Sequence, residues 1–126
     1  MPKYCFDHIH SINEDPLKIA KFYQKMFHAE MISVETPPGL GLLVTLKLDD
    51  FVIKFMQPRT QPLGSTAGFE HIALRTDNIE ASVKELEKAG AKIVRRIIEE
   101  NTGGIKFKSA FISVENNLIE LQEVEK

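Results

Sequence analysis

Three side chains that stand far apart in the sequence are of the types that bind divalent metal ions. His8, His71 and Glu120 each lie within a short, mainly apolar segment that is typical of a β-strand. Two neutral imidazoles and one carboxylate that meet at a point can hold a divalent cation and leave other coordination positions open for water or a substrate. The sequence therefore offers a candidate metal site, provided that the fold brings these three side chains together.

An internal repeat relates the two histidines. When the sequence is aligned on itself, the segment Asp7–Ile9 lies over Glu70–Ile72, so that His8 and His71 occupy equivalent places. A repeat is informative about architecture because each copy is one structural unit. Both copies show a strand pattern, a helix pattern and three further strand patterns. The sequence thus predicts module one at residues 4–58, a linker at 59–68 and module two at 69–124.

The pattern within each copy predicts the positions of its helix and strands. Asp15 followed by Pro16 is typical of a helix start, and this helix should fade near His28 to Glu30. In the second copy Asp77, with Glu80 three residues later, indicates a capping box. Turns are predicted at Asp49-Asp50 and Asn116-Asn117. The predicted strands are Tyr4–Ile12, Met31–Thr36, Leu42–Leu48, Phe51–Met56, Phe69–Thr76, Lys92–Ile98, Lys106–Val114 and Leu118–Val124.

Side chains alternate between the two faces of a strand, which divides these residues into two sets. The set expected to lie under the helices is Ile9, Ile53, Phe55, Ile72, Leu74, Ile119 and Leu121. The opposite face would carry Phe6, His8, His10, Val52, Lys54, Met56, Phe69, His71, Ala73, Leu118, Glu120 and Gln122. The second set mixes histidine, lysine, glutamate and glutamine with apolar neighbours. Burying such polar groups without partners costs free energy, so the folded protein must provide a bonding partner for each of them.

Composition limits the classes of function. The 126 residues, of which 43% are hydrophobic and 27% charged, suit a single globular domain. A net charge of -2 disfavours general nucleic-acid binding, and no apolar run approaches the roughly 20 residues of a membrane span. The single cysteine excludes an internal disulfide and a thiolate-rich zinc site. The N-terminus shows no signal-peptide pattern, so cytoplasmic residence is the expectation.

The duplicated βαβββ pattern, with histidine in its first strand and glutamate in its last, resembles the vicinal oxygen chelate superfamily. This superfamily includes glyoxalase I, methylmalonyl-CoA epimerase, extradiol dioxygenases and metal-free antibiotic-binding proteins of the bleomycin-resistance type. The similarity covers nearly the whole chain and is carried by the segments Phe6–Ile9, Gly68–Leu74, Asn101–Phe107 and Leu118–Leu121. It implies an α+β fold in which the tandem modules form a cup-shaped mixed sheet, and it implies a homodimer.

By this resemblance, His8, His71 and Glu120 match three usual metal ligands, and Glu120 can also leave the metal and act as a catalytic base. The cation would be zinc, nickel, manganese, cobalt or iron. The partner would be a small-molecule substrate. The residues expected to contact it, or to line its site, are His10, Lys54, Met56, Phe69 and Gln122. His10 has a second possible role, as a ligand in place of His8.

The position of a fourth usual ligand is occupied by Lys54, which departs from the pattern. A protonated lysine has no lone pair to donate to a metal, and its charge opposes a nearby cation. Three interpretations follow. In the first, Lys54 turns its amine toward solvent and leaves a three-residue metal site. In the second, it lies close to the metal, has a lowered pKa and transfers protons. In the third, it pairs with Glu120 and replaces the metal.

The leading expectation is a metal-dependent isomerase or lyase in which the cation chelates neighbouring oxygens of a carbonyl or thioester substrate and promotes proton transfer. Epimerase-like and lactoylglutathione-lyase-like reactions are the two nearest models. The alternatives are a metal-free protein that binds a small molecule, and an iron dioxygenase.

Overall fold

The computed structural model describes residues 2–125 and shows an α+β fold in which the βαβββ order occurs twice, as the sequence predicts. Neither helix in this part of the chain has the length and apolarity to cross a membrane. The elements are β1 (Tyr4–Ile12), α1 (Pro16–Phe27), β2 (Glu30–Glu35), β3 (Leu43–Leu48), β4 (Phe51–Met56), β5 (Gly68–Thr76), α2 (Ile79–Lys88), β6 (Lys92–Thr102), β7 (Ile105–Val114) and β8 (Asn117–Val124).

The chain divides into two compact units. The segment His8–Glu70 forms one, here called the N-terminal unit. The chain up to Asp7, together with the chain from His71 onward, forms the other, here called the C-terminal unit. Each unit holds one helix and the greater part of four strands.

In the N-terminal unit the strands follow the order β2-β3-β4-β1. β1 runs parallel to β4, with Ile9 opposite Ile53, whereas β2, β3 and β4 are antiparallel. The helix α1 covers one face of this sheet. The core under α1 contains Ala20, Ala29, Val44, Leu46, Ile53 and Phe55.

The C-terminal unit repeats this plan with the order β5-β8-β7-β6. β5 and β8 are parallel, with Ile72 opposite Ile119, and the remaining pairs are antiparallel. The buried core under α2 contains Ile79, Val83, Ala110 and Leu121. Burial of these apolar side chains is the main force that holds each helix on its sheet.

The predicted division of the strands into two faces agrees with these cores. Of the seven residues expected under the helices, those that lie in the two helix-side cores are Ile53, Phe55, Leu74, Ile119 and Leu121. Ile72 agrees least well with the prediction, because its side chain is 39% exposed. The alternation of the sequence was therefore a sound guide to which face each helix covers.

The first helix begins as predicted and the second does not. The Asp15 carboxylate accepts a hydrogen bond from the backbone nitrogen of Lys18, at 3.1 Å. For α2 the capping residue is Asn78, whose side chain accepts from the nitrogen of Ala81 at 3.0 Å, and the prediction of Asp77 was wrong. The Asp77 carboxylate instead accepts a hydrogen bond from the backbone nitrogen of Lys3, at 2.9 Å, and the cap lies one position later.

One of the two predicted turns is also displaced. The turn at Asp49-Asp50 is confirmed, because Leu48 pairs with Phe51. The turn predicted at Asn116-Asn117 lies one residue earlier. Val114 pairs with Asn117, and the two residues between them have positive φ values of 50° and 66°. Asparagine tolerates this left-handed conformation, so either of the adjacent asparagines suited the turn from sequence alone.

The strand β6 is longer than predicted. It continues past Ile98 to Thr102, and its polar end pairs with β7, with Glu100 opposite Phe107. The predicted strand ended at Ile98, immediately before the polar run Glu99–Asn101. A solvent-facing end of an antiparallel ribbon is often polar, since only one face needs to be buried.

A buried ion pair fixes the start of β5 to the connection that precedes it. Arg59 Nη1 lies 2.8 Å from Glu70 Oε1 and 3.0 Å from Oε2, and the Glu70 side chain is almost fully buried. The segment predicted as a linker is thereby held to the residue immediately before His71.

Candidate metal centre

The face of the C-terminal sheet opposite α2 carries a row of buried polar side chains. Ala73 on β5 is opposite Glu120 on β8, and on β7 Phe111 is opposite Glu120 and Ser109 is opposite Gln122. His71 lies two residues before Ala73 and therefore shares this face. His71, Ser109, Glu120 and Gln122 are all less than 9% exposed. Sheet register alone therefore brings an imidazole and a carboxylate into one buried region.

His71 and Glu120 are in direct contact. His71 Nε2 lies 3.2 Å from Glu120 Oε1. An ionised carboxylate can only accept hydrogen bonds, so in this contact Nε2 carries the hydrogen and donates it. The ring of His71 also meets the edge of Phe111, with 5.0 Å between ring centroids, which restrains the orientation of the imidazole.

The second oxygen of the Glu120 carboxylate is held by two donors. Ser109 Oγ donates to Oε2 at 2.8 Å, and Gln122 Nε2 donates to the same oxygen at 3.1 Å. Both donors are buried. Hydrogen bonds of this kind stabilise the charged form of a buried carboxylate, which would otherwise be costly to remove from water.

Arg95 supports the serine. Its Nη2 donates to Ser109 Oγ at 2.8 Å, and its Nη1 donates to the Ser109 carbonyl at 3.2 Å. The guanidinium carbon lies 4.9 Å from the ring centroid of Phe111. Arg95, Ser109, Glu120 and His71 consequently form one continuous chain of polar contacts.

The corresponding face of the N-terminal unit carries a pair of imidazoles. His8 and His10 are two residues apart on β1, so they share one face of the sheet, and they are 1% and 6% exposed. Their ring centroids lie 5.8 Å apart, and the nitrogens that each can offer to a metal are within 4.8 Å of one another. Lys54 is directly opposite His10 on β4 and is half-buried.

The other residues predicted to bind substrate differ in exposure. Met56 is 1% exposed and packs in a small apolar cluster with Ile12 and Leu43. Phe69 is 63% exposed and so is accessible. Gln122 is buried, and its amide nitrogen is engaged with Glu120.

The donors present fit the requirements of a divalent transition metal. Imidazole nitrogen and carboxylate oxygen suit zinc, nickel, cobalt, iron and manganese. Each unit supplies two donor groups at close range, the imidazoles of His8 and His10 in one and the His71–Glu120 pair in the other. The hydrogen bonds to Glu120 Oε2 resemble the outer contacts that orient carboxylate ligands in metalloproteins.

The sequence pattern did not predict Ser109 or Arg95 as part of the site. The misplaced turn explains the first omission. If Asn116 and Asn117 formed the turn, Glu120 would lie opposite Ser113, and Ser109 would be remote from it. The observed turn instead aligns Ser109 with Gln122. Arg95 lies at irregularities in the pairing of β6 with β7, and the alternation of side chains does not carry through these.

The chain matches a known protein family over most of its length. The model of the Glyoxalase/Bleomycin resistance protein/Dioxygenase superfamily matches residues 6–121. No match was found among curated proteins.

Several solved structures share the fold. A hypothetical protein from Bacillus halodurans has a TM-score of 0.81 at 19% identity, over 98% of this chain and 96% of that chain. A methylmalonyl-CoA epimerase has a TM-score of 0.72 at 25% identity, over 97% and 96% of the two chains. A variant of the Streptomyces coelicolor methylmalonyl-CoA epimerase, in complex with 2-nitronate-propionyl-CoA, has a TM-score of 0.74 at 20% identity, over 97% of each chain.

Proposed function

Since the chain belongs to the Glyoxalase/Bleomycin resistance protein/Dioxygenase superfamily, we propose that it is a small metal-dependent isomerase or lyase. In this proposal His8, His71 and Glu120 bind one divalent cation. The substrate is a small molecule with a carbonyl or thioester group. Epimerase-like chemistry is favoured over the lyase because methylmalonyl-CoA epimerases are among the similar structures.

The observation that carries the proposal is the buried contact of His71 Nε2 with Glu120 Oε1 at 3.2 Å. A carboxylate this deeply buried is expensive for a protein to keep, and a sheet face needs no such group for stability. A binding role for the charge accounts for its retention. The repeat supports His8 as the third ligand, because His8 occupies in β1 the place that His71 occupies in β5.

A bound cation would supply Lewis acidity, polarising the substrate carbonyl and lowering the pKa of the neighbouring C–H group. The chain itself supplies orientation and a water-poor surface. The edge of Phe111 holds the His71 ring in place, and Ser109 and Gln122 hold the Glu120 carboxylate. His10, beside His8 and opposite Lys54, is suited to contact the substrate or to carry a proton.

Metal binding tests the proposal. Protein purified without chelator is analysed for bound metal, and the metal-free protein is titrated with Co²⁺, whose visible spectrum reports coordination. We expect one cation per chain. His8→Ala and His71→Ala should each weaken Co²⁺ binding by more than about 100-fold, because loss of an outer contact alone typically costs 10–100-fold. His28→Asn is the matched control, since His28 is an exposed histidine in a left-handed conformation that asparagine accepts.

The reaction class is tested by solvent exchange. Methylmalonyl-CoA is incubated in D₂O with the cobalt-loaded protein, and deuterium entry at the carbon next to the thioester is followed by NMR. Exchange that depends on metal and is lost in His71→Ala supports the proposal. A wild-type protein that binds none of zinc, nickel, manganese, cobalt or iron would refute it.

Lys54 favours a second candidate, a metal-free protein that binds a small molecule. Its ammonium group lies on the same face as His10, where a cation would experience its positive charge. This candidate predicts no metal uptake together with saturable binding of an aromatic or antibiotic-like ligand. The same titration therefore separates the two candidates. An iron dioxygenase would instead show oxygen consumption with Fe²⁺.

Three further expectations stay predictions: assembly as a homodimer, residence in the cytoplasm, and the division into modules at residues 4–58 and 69–124. Gel filtration with light scattering measures the first directly.

A further inference from the structure

The two oxygens of the Glu120 carboxylate have different surroundings. Oε1 faces His71 Nε2, whereas Oε2 accepts hydrogen bonds from Ser109 and Gln122. The donors to Oε2 come from two neighbouring strands, β7 and β8, which pair with each other along their lengths. Two side-chain donors thus hold Oε2, and the His71 imidazole lies against Oε1.

We propose that Ser109, itself held by Arg95, and Gln122 are positioning residues that fix Glu120 through Oε2 and so present Oε1 to the cation, which on binding beside His71 would displace the hydrogen of Nε2 to water. This inference rests on the proposed metal-binding function and deepens it. It assigns a role to a serine and an arginine that make no contribution as ligands, and it changes the predicted role of Gln122 from substrate contact to support of the carboxylate.

The direction of each hydrogen bond follows from donor chemistry. A guanidinium has only donors, so Ser109 Oγ must accept from Arg95 Nη2, at 2.8 Å. The single hydroxyl hydrogen of Ser109 is then directed to Glu120 Oε2, at 2.8 Å. Arg95 therefore sets the orientation of the hydroxyl, and the hydroxyl sets the orientation of the carboxylate.

The arrangement also bears on which group moves the proton. If Glu120 left the cation by rotation of its carboxylate, Ser109 and Gln122 would lose the acceptor that Oε2 provides. Such donors are costly to leave without partners. Glu120 accordingly serves as a fixed ligand, and the proton is carried by another group or by water.

The test compares two buried serines of the C-terminal unit. Ser109→Ala removes the hydroxyl that donates to Glu120. Ser82→Ala removes an equally buried hydroxyl that bonds to Thr76 and to the carbonyl of Asn78 at α2. We expect Ser109→Ala to weaken Co²⁺ binding by roughly 10–100-fold and to change the visible spectrum of the bound Co²⁺, and Ser82→Ala to do neither.

Arg95 is tested through its dependence on Ser109. Arg95→Met keeps an apolar stem over Phe111 and removes the donors to the serine. It should weaken Co²⁺ binding by less than Ser109→Ala does, and it should have no further effect when Ser109→Ala is already present. Ser109→Thr, which keeps the hydroxyl, should restore Co²⁺ affinity to within about threefold of wild type, well short of the loss expected for Ser109→Ala.

A measurement without metal separates this inference from the proposed function. In the metal-free protein, the hydrogen on His71 Nε2 should give an NMR signal that exchanges slowly with water while Glu120 is held. Ser109→Ala should broaden or remove this signal, and Ser82→Ala should leave it unchanged. If wild type binds Co²⁺ and the two serine variants behave alike in titration and NMR, the inference is overturned while the proposed function stands. If wild type binds no metal, both are overturned.

Discussion

The two units of this protein place unlike side chains at equivalent positions of the same sheet plan. In the N-terminal unit, the parallel pair of strands sets His10 opposite Lys54. In the C-terminal unit, the equivalent pair sets Ala73 opposite Glu120. The N-terminal unit thus carries its two imidazoles on β1 and a positive charge on the paired strand β4. The C-terminal unit carries one imidazole and a negative charge.

The next row of each sheet shows the same contrast. Leu43 is opposite Met56 in the N-terminal unit, and both are packed with Ile12 in an apolar cluster. The equivalent row of the C-terminal unit has Ser109 opposite Gln122, and both donate to Glu120. One copy has an apolar row where the other has a hydrogen-bonded support for a carboxylate. The two copies share the plan of strand pairing and differ in the chemistry of the side chains placed on it.

The largest expected effect concerns the two counterparts Glu120 and Lys54. Glu120→Gln should lower Co²⁺ affinity by more than about 100-fold, because it removes the anionic donor beside His71. Lys54→Met, which removes the counterpart charge, should leave Co²⁺ affinity unchanged or raise it. Titration of both metal-free proteins measures the difference. Equal losses in the two variants would show that the units do not differ in the way described.

The apolar row gives the next effect, on stability. Met56→Gln should lower the free energy of unfolding by about 2 kcal/mol or more, since an amide would be buried next to Ile12 and Leu43. Met56→Leu, which keeps volume and apolarity, should cost less than about 1.5 kcal/mol. Urea denaturation of the two variants provides the comparison. An unchanged midpoint for Met56→Gln would mean that this row tolerates polar groups as its counterpart does.

Converting one copy toward the other should have a smaller effect. Lys54→Glu places a carboxylate at the position equivalent to Glu120, in register with His10. We expect about a tenfold rise in Co²⁺ affinity, equivalent to 1.4 kcal/mol, from exchange of an opposing charge for an attractive one. Lys47→Glu, on an exposed site of the adjacent strand β3, controls for net charge. A Lys54→Glu protein with wild-type affinity would place Lys54 outside the ligand sphere.

The smallest effect is expected outside the polar face. Glu80 on α2 lies 2.8 Å from Lys108 Nζ, and the hydrogen bond from Lys108 lowers the pKa of Glu80 below its ordinary value of 4.5. Because the pKa of Glu80 is lower in the folded state, its ionised form stabilises the fold at pH values above 4.5. This contribution to the free energy of unfolding is lost as the pH falls through the lowered pKa. Because both groups are largely exposed, Glu80→Gln should change the melting temperature only slightly at neutral pH, and not at all in high salt. A large drop would show that this pair anchors α2.

The sequence was most informative where a single pattern determined the local structure. Alternation and the repeat predicted the element order, the helix-side faces and the burial of His8, His71 and Glu120. Asp15 was a clear helix start because Pro16 follows it directly.

The sequence was least informative where two local choices had similar energies. Asp77 and Asn78 can both cap a helix, and in the structure Asn78 is the cap while the Asp77 carboxylate accepts from the backbone nitrogen of Lys3. Asn116 and Asn117 can both form a turn, and the register of a whole hairpin depended on the choice. The role of Ser109 follows from that register, which is why it emerged only from the structure.

A crystal structure of the zinc-loaded protein, with the metal located by its anomalous scattering, tests the central claim most directly. We predict one zinc ion, about 2.0–2.2 Å from Glu120 Oε1 and from a ring nitrogen of each of His8 and His71, with Ser109 and Gln122 still bonded to Oε2. A zinc ion bound only to other residues, or no ion at saturating zinc, would contradict it.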